Sequence, residues 1–174
     1  EWIKGSKPLL SDGAMGTLLH DRGVSFDKCF DELNLTNPAI VAEIHKAYID
    51  AGAQIILTNT FGANRYKLER HGLDSSIKEI NSAAVDLARR VVAASFKQVL
   101  VAGDIGPLGV RLAPFGRVQP EDARRAFKEQ IAILLDSKVD LIVIETVTDL
   151  YEIREAIFAA RELSAELPII ASMT

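Results

Sequence analysis

A chain of 174 residues that is 48% hydrophobic and 25% charged has the composition of a single globular domain with enough apolar material for a sizeable core. A net charge of −4 argues against a nucleic-acid partner, which demands a basic face, and the one cysteine excludes both an internal disulfide and a Cys-rich metal site built from this chain alone. No apolar run approaches the roughly 18 residues of a membrane span, and the amino terminus lacks a basic-then-apolar signal, so no membrane partner and a cytoplasmic location are expected.

Glu1 to Lys7 reads as a lead-in, with Trp2 and Ile3 as covers for the bottom of a barrel. Pro8-Leu9-Leu10-Ser11-Asp12 predicts a short first strand, and Gly13-Ala14-Met15-Gly16-Thr17 a small-residue turn that lets the backbone approach a ligand. A short helix over Thr17–Arg22 stops at Gly23, and Val24 to Asn34 has no period and reads as a loop. Thr36-Asn37-Pro38 then opens a crossover helix whose inward face is predicted as Ile40, Val41, Ile44, Ala47, Tyr48 and Ala51.

The second strand, from Ile55, ends in Thr58-Asn59-Thr60-Phe61-Gly62, a dense set of hydrogen-bonding groups beside a buried run. After a helical turn over Asn64 to His71, Ser75-Ser76 caps a helix with Ile77, Ile80, Ala84, Leu87, Ala88 and Val91 inward. The third strand, Val99 to Asp104, leads into Gly103-Asp104-Ile105-Gly106-Pro107-Leu108-Gly109. That run is a poor phosphate loop, because Pro107 removes an amide donor and the next helix starts only at Pro120. Val110 to Gln119 is long for a strand-to-helix connection and carries Arg111 and Arg117, which can face a substrate or simply lie on the surface.

Helix Pro120 onward places Ala123, Phe127, Ile131, Leu134 and Leu135 inward, with Glu121 and Asp122 in its first turn. The fourth strand, Leu141-Ile142-Val143-Ile144-Glu145-Thr146, is an unbroken apolar run ending in a carboxylate. Asp149 and Glu152 form a capping-box pattern for the next helix, whose inward residues are Ile153, Ala156, Ile157, Ala160 and Leu163, and Ile169 begins a fifth strand. Five buried runs that each turn polar at their C-terminal ends describe either an open parallel sheet or the first five strands of an eight-stranded α/β barrel. Polar residues at every tip and a chain that stops on a strand favour the barrel in truncated form, without an internal domain boundary. An open strand edge in such a form offers a route to self-association.

Asp12-Gly13-Ala14-Met15-Gly16-Thr17, Glu32-Leu33-Asn34, Ala51-Gly52-Ala53 through Thr58-Asn59-Thr60-Phe61-Gly62-Ala63-Asn64, Gly103-Asp104-Ile105-Gly106-Pro107 and Ile144-Glu145-Thr146 together resemble the homocysteine S-methyltransferase module of cobalamin-dependent methionine synthase. The bifunctional proteins that join this module to methylenetetrahydrofolate reductase look similar. The resemblance covers essentially the whole chain and implies a methyltransferase acting in methionine biosynthesis on a (β/α)8 TIM barrel. It also implies a zinc ion held by three cysteine thiolates that activates homocysteine sulfur. Methylcobalamin or a methylfolate is the implied methyl donor.

Carried over by position, the resemblance implies that Glu145 binds the substrate amino group and that the Asp12-Gly13 turn belongs to the same pocket; Asn59 and Asp104 are expected to line it. The family's zinc cysteines lie in later strands, so the fragment is expected to lack a metal site and to be inactive alone. Cys29 reads as a packing residue, and His20, His45 and His71 form no zinc pair. The other reading is a stand-alone α/β domain that binds an amino acid or a protein partner without catalysis. An aldolase-like barrel would need a Schiff-base lysine at a strand tip, which the sequence does not show.

Overall fold

In the computed structural model, residues 7–174 are described; the lead-in reading of Trp2 and Ile3 lies outside them. Four parallel strands, β1 (Ile55–Leu57), β2 (Leu100–Ile105), β3 (Leu141–Val147) and β4 (Ile169–Met173), form a sheet in sequential order. Helices α3 (Pro38–Asp50), α5 (Ile77–Ser95), α6 (Pro120–Asp136) and α7 (Leu150–Leu163) lie around it, with short helices α1 (Met15–Asp21), α2 (Leu33–Thr36) and α4 (Arg65–Glu69) in the connections. The helix-then-strand alternation demands parallel pairing, because each helix returns the chain to the same end of the sheet. One continuous core joins β1, β2 and β3 to the inner faces of α5, α6 and α7, with Phe127, Ile131 and Leu134 fully buried.

The expected five strands are four. Leu9–Asp12 lies parallel beside β1 but contributes only one bridge, Ser11 to Ile55. Backbone bonds from the Gln54 and Ile55 amides to the Leu10 carbonyl and from the Asp12 amide to the Ile55 carbonyl hold it there, and side chains take the neighbouring amides: Gln54 Oε1 accepts from the Leu10 amide, and Asp12 Oδ2 accepts from the Leu57 amide at 2.9 Å. A carboxylate taking the next amide of β1 ends regular pairing at that point. The predicted burial of all strands also fails at β4, where Ile170 and Met173 are exposed on a strand paired only with β3.

Three local readings change. The inner face of α3 carries His45 and Ile49 with Val41 and Ile44, whereas Ala47 and Ala51 are exposed. That face is set by packing against α1, α2 and α5 together, which rotates the buried stripe from the one periodicity suggested. Ser76 occupies the cap position of α5 after a 3-10 turn over Asp74–Ser76, but its hydroxyl makes no cap bond. Asp149 caps α7 by accepting from the Tyr151 amide; Glu152, instead of completing the box, is buried and accepts from the Leu108 amide at 2.7 Å. The long 110–119 loop is pinned by a bridge between Leu112 and Val118, with Arg111 and Arg117 exposed.

Candidate functional site

The C-terminal ends of β1, β2 and β3 open onto a cavity of roughly 570 Å³. Its walls come from the turn after Asp12, the 26–31 loop, Thr58 to Gly62, and α4; Asp104 and Glu145 reach into it from β2 and β3. Parallel strands collect their tips at one end, which is why residues so far apart in sequence share this space.

Glu145 is aimed by a backbone irregularity that periodicity does not reveal. The strand runs past it to Val147, and the register slips: Ile144 pairs with Ala171 and Val147 with Met173, so Glu145 and Thr146 together face one residue of β4. Such a bulge turns a side chain out of the pleat. Thr146 has φ of 61°, a left-handed conformation that a β-branched side chain adopts only under strain. Its side chain is exposed, so Thr146→Asn is expected to raise stability by about 1 kcal/mol, since Asn tolerates this region. Urea unfolding checks this, and an unchanged midpoint would show that Thr146 carries no strain. Half-burial raises the Glu145 carboxyl above the ordinary glutamate value.

Asp104 is buried, and its Oδ1 has no hydrogen-bond partner. Burial first, then the Glu145 charge, holds its carboxyl well above the usual carboxylate range. Its backbone is fixed by threonines: the Asp104 amide donates to Thr58 Oγ1 and Thr60 Oγ1 donates to the Asp104 carbonyl. A carboxyl with an unmet oxygen facing a cavity is a group with an interaction to offer.

Asn59 lines the cavity, but its amide is already engaged, donating to the Phe30 carbonyl at 2.7 Å and to Asn34 Oδ1 at 3.2 Å. It joins the loop after α1 to the β1 tip. Ala14 to Thr17 line the cavity; Asp12 and Gly13 lie just behind them. The Asp12 carboxyl is pushed up to about 7 by burial, against the pull of its Leu57 and Ser11 bonds. Gly13 leaves room for Tyr48, whose hydroxyl would stand 3.0 Å from a Cβ there and donates to the Ala14 carbonyl.

Several contributors escape sequence reasoning. Asp31, in the aperiodic loop, is buried and accepts from the Gly62 amide at 2.9 Å; a Cβ on Gly62 would sit 2.5 Å from its other oxygen. Lys67 enters from α4. Behind the β1 tip, Asn34 Nδ2 donates to the Asn59 carbonyl, Gln130 Nε2 to that of Thr60 and Asn81 Nδ2 to that of Ala63, so three buried amides clamp this loop. The signal for the last two was present: Asn81 and Gln130 interrupt the apolar stripes of α5 and α6.

Cys29 packs with Ala63, Leu68, Ile77 and Ile80, and its S–H points to Asp31 Oδ2 at 3.8 Å. Burial first, then the Asp31 charge, pushes its thiol up to about 11. Native protein at pH 8 is therefore expected to react with a thiol reagent far more slowly than unfolded protein; equal rates would contradict this burial.

A family model described as homocysteine S-methyltransferase matches residues 9–174. The chain belongs to the homocysteine S-methyltransferase family. It is 30% identical over 179 residues to the methionine synthase of Mycobacterium leprae (strain TN), covering 95% of this chain and 15% of that protein. The methionine synthase of Mycobacterium tuberculosis (strain ATCC 25618 / H37Rv) is 29% identical over 185 residues, with 99% and 15% covered. The crystal structure of the homocysteine methyltransferase MmuM from Escherichia coli, metallated form, superposes with a TM-score of 0.84 at 27% identity, over 99% of this chain and 65% of that one. The oxidized form gives 0.82 at 28% identity, over 94% and 61%. The chain thus spans less than two thirds of these relatives.

Membership raises the question of metal. Among the described residues no group of three or more His, Cys, Asp or Glu could hold a metal ion. The single thiol is held protonated by burial. This donor set does not fit zinc. No helix among the described residues is long and apolar enough to cross a membrane.

Proposed function

We propose that residues 1–174 form the N-terminal portion of a homocysteine-binding (β/α)8 barrel and supply one side of the substrate pocket of a zinc-dependent homocysteine S-methyltransferase, the zinc ligands lying outside this chain. The observation that carries the reading is the pairing of two carboxyl groups at the strand tips, Glu145 on a bulge and Asp104 with an unmet oxygen, facing one cavity. Ionised Glu145 is the natural partner of an ammonium, and the Asp104 carboxyl, its pKa raised by burial, lines the same cavity. Asn59 and the Asp12-Gly13 turn shape the wall, Asn59 through its bonds to Phe30 and Asn34, and Asp12 through its hold on Leu57. Chemistry at sulfur is assigned to no residue here.

The reading is tested by methyl transfer to homocysteine in the complete polypeptide containing these residues, with methylcobalamin and a methylfolate as alternative donors. Activity that disappears on chelation and returns with zinc is expected. Homocysteine failing to bind would remove the reading in favour of a non-catalytic binding domain.

A further inference from the structure

The segment that follows β2, Gly106 to Gly109, supports one wall of the cavity. The Phe61 ring is seated on Gly106, where a Cβ would come within 2.6 Å of it, and the Gly106 amide donates to the Phe61 carbonyl at 3.2 Å. The stem of Lys67 lies against Gly109, where a Cβ would meet its Cγ at 3.3 Å, and its ammonium stands 4.3 Å from the centroid of the Phe61 ring. Phe61 and Lys67 both line the cavity. In a close-packed wall, a shift of this segment moves both.

Three of its four residues are tied to the β1 side. Gly106 is held by Phe61, the Pro107 carbonyl accepts from Asn64 Nδ2 at 3.4 Å, and the Gly109 carbonyl accepts from the Arg70 guanidinium. Leu108 is tied to the opposite side: it is fully buried, and its amide donates to Glu152 Oε1 at 2.7 Å. Glu152 is buried in the first turn of α7, the helix that leaves the strand bearing Glu145. It does not line the cavity, but a separate cleft with Leu112 and Leu150. Burial raises its carboxyl above the ordinary glutamate value, and the Leu108 amide draws it back. An ionised carboxylate is a stronger acceptor for that amide than a neutral carbonyl.

We propose that Glu152 is a positioning residue: from α7 it fixes Leu108, and through the 106–109 segment it sets where Phe61 and Lys67 stand in the cavity wall. Methyl transfer then depends on a side chain that touches no substrate. This rests on the homocysteine reading and adds a residue outside the pocket. It also accounts for Glu152 leaving the α7 cap to Asp149 alone.

Hydrogen exchange and steady-state kinetics of the complete enzyme test this together. Glu152→Ala is expected to speed exchange in residues 105–110 and 61–67 while leaving the α6 core, residues 126–134, unchanged. It should also lower kcat/KM for homocysteine by on the order of 10- to 100-fold, the usual effect of misplacing a site from a distance. Glu152→Gln keeps an acceptor for the Leu108 amide and should restore both readings. Glu152→Asp, which draws the carboxylate back by one methylene, should show the Ala pattern in milder form and gives the reading if the Ala variant does not fold. Faster exchange at 105–110 with unchanged kcat/KM overturns the positioning role, as does equal acceleration in α6 or a Gln variant that restores neither. Wild-type enzyme that transfers no methyl group to homocysteine overturns the homocysteine reading itself, and the role with it.

Discussion

Glu145→Gln in the complete enzyme is expected to weaken homocysteine binding by about 2–5 kcal/mol, the cost of removing one charge from a desolvated ion pair. The side chain is partly shielded, sits on a bulge that turns it toward the cavity, and makes no hydrogen bond among the described residues. The loss should therefore appear in ligand affinity and not in the unfolding midpoint. Because burial raises its pKa above 4.5, wild-type affinity should fall on acidification at a higher pH than for an ordinary glutamate, as the carboxylate that holds the ammonium is protonated. The Gln variant should lack that limb. Calorimetry across pH checks both points, and an unchanged affinity would remove Glu145 from the pocket.

The second large effect is on stability. His45 is fully buried on α3, and neither ring nitrogen has a hydrogen-bond partner. Burial lowers its pKa from 6.5 to about 4. The folded state thus holds a neutral imidazole, whereas the unfolded chain takes up a proton below 6.5. The stability contribution is fully present above that value and is lost as pH falls toward 4, where the loss levels off at about 3 kcal/mol. Asp104 and Asp31, whose pKa values are raised in the fold, act in the opposite direction, because acid removes their desolvation penalty. The difference between wild type and His45→Leu isolates the imidazole. The variant should match or exceed wild-type stability at pH 7 and lose less of it by pH 4. Parallel pH profiles for the two proteins would show that His45 is not the acid-sensitive group.

These two residues mark opposite ends of what could be read in advance. Glu145 was visible because an apolar run of β-branched residues ending in a carboxylate can hardly be anything other than a buried strand with a charge at its tip. Asp104 and Asn59 were visible for the same reason. His45 was missed because periodicity fixes the width of a buried helical stripe, while its exact rotation depends on which neighbours the helix meets. Asp31 and Lys67 lie in a loop without period and on a single-turn helix, where local pattern carries almost no information about direction.

The sequence by itself determined the alternation of strands and helices, the end of the sheet where polar groups gather, and the family. Each follows from short-range regularities: apolar runs, caps, and ordered motifs. Tertiary structure alone decided that Leu9–Asp12 gives a bridge instead of a strand, since Asp12 spends its carboxylate on Leu57. It alone decided that a bulge aims Glu145, that Glu152 holds Leu108, and that Lys67 stands over Phe61. Those outcomes depend on which groups remain unsatisfied when distant segments meet, and no local window of sequence contains that competition.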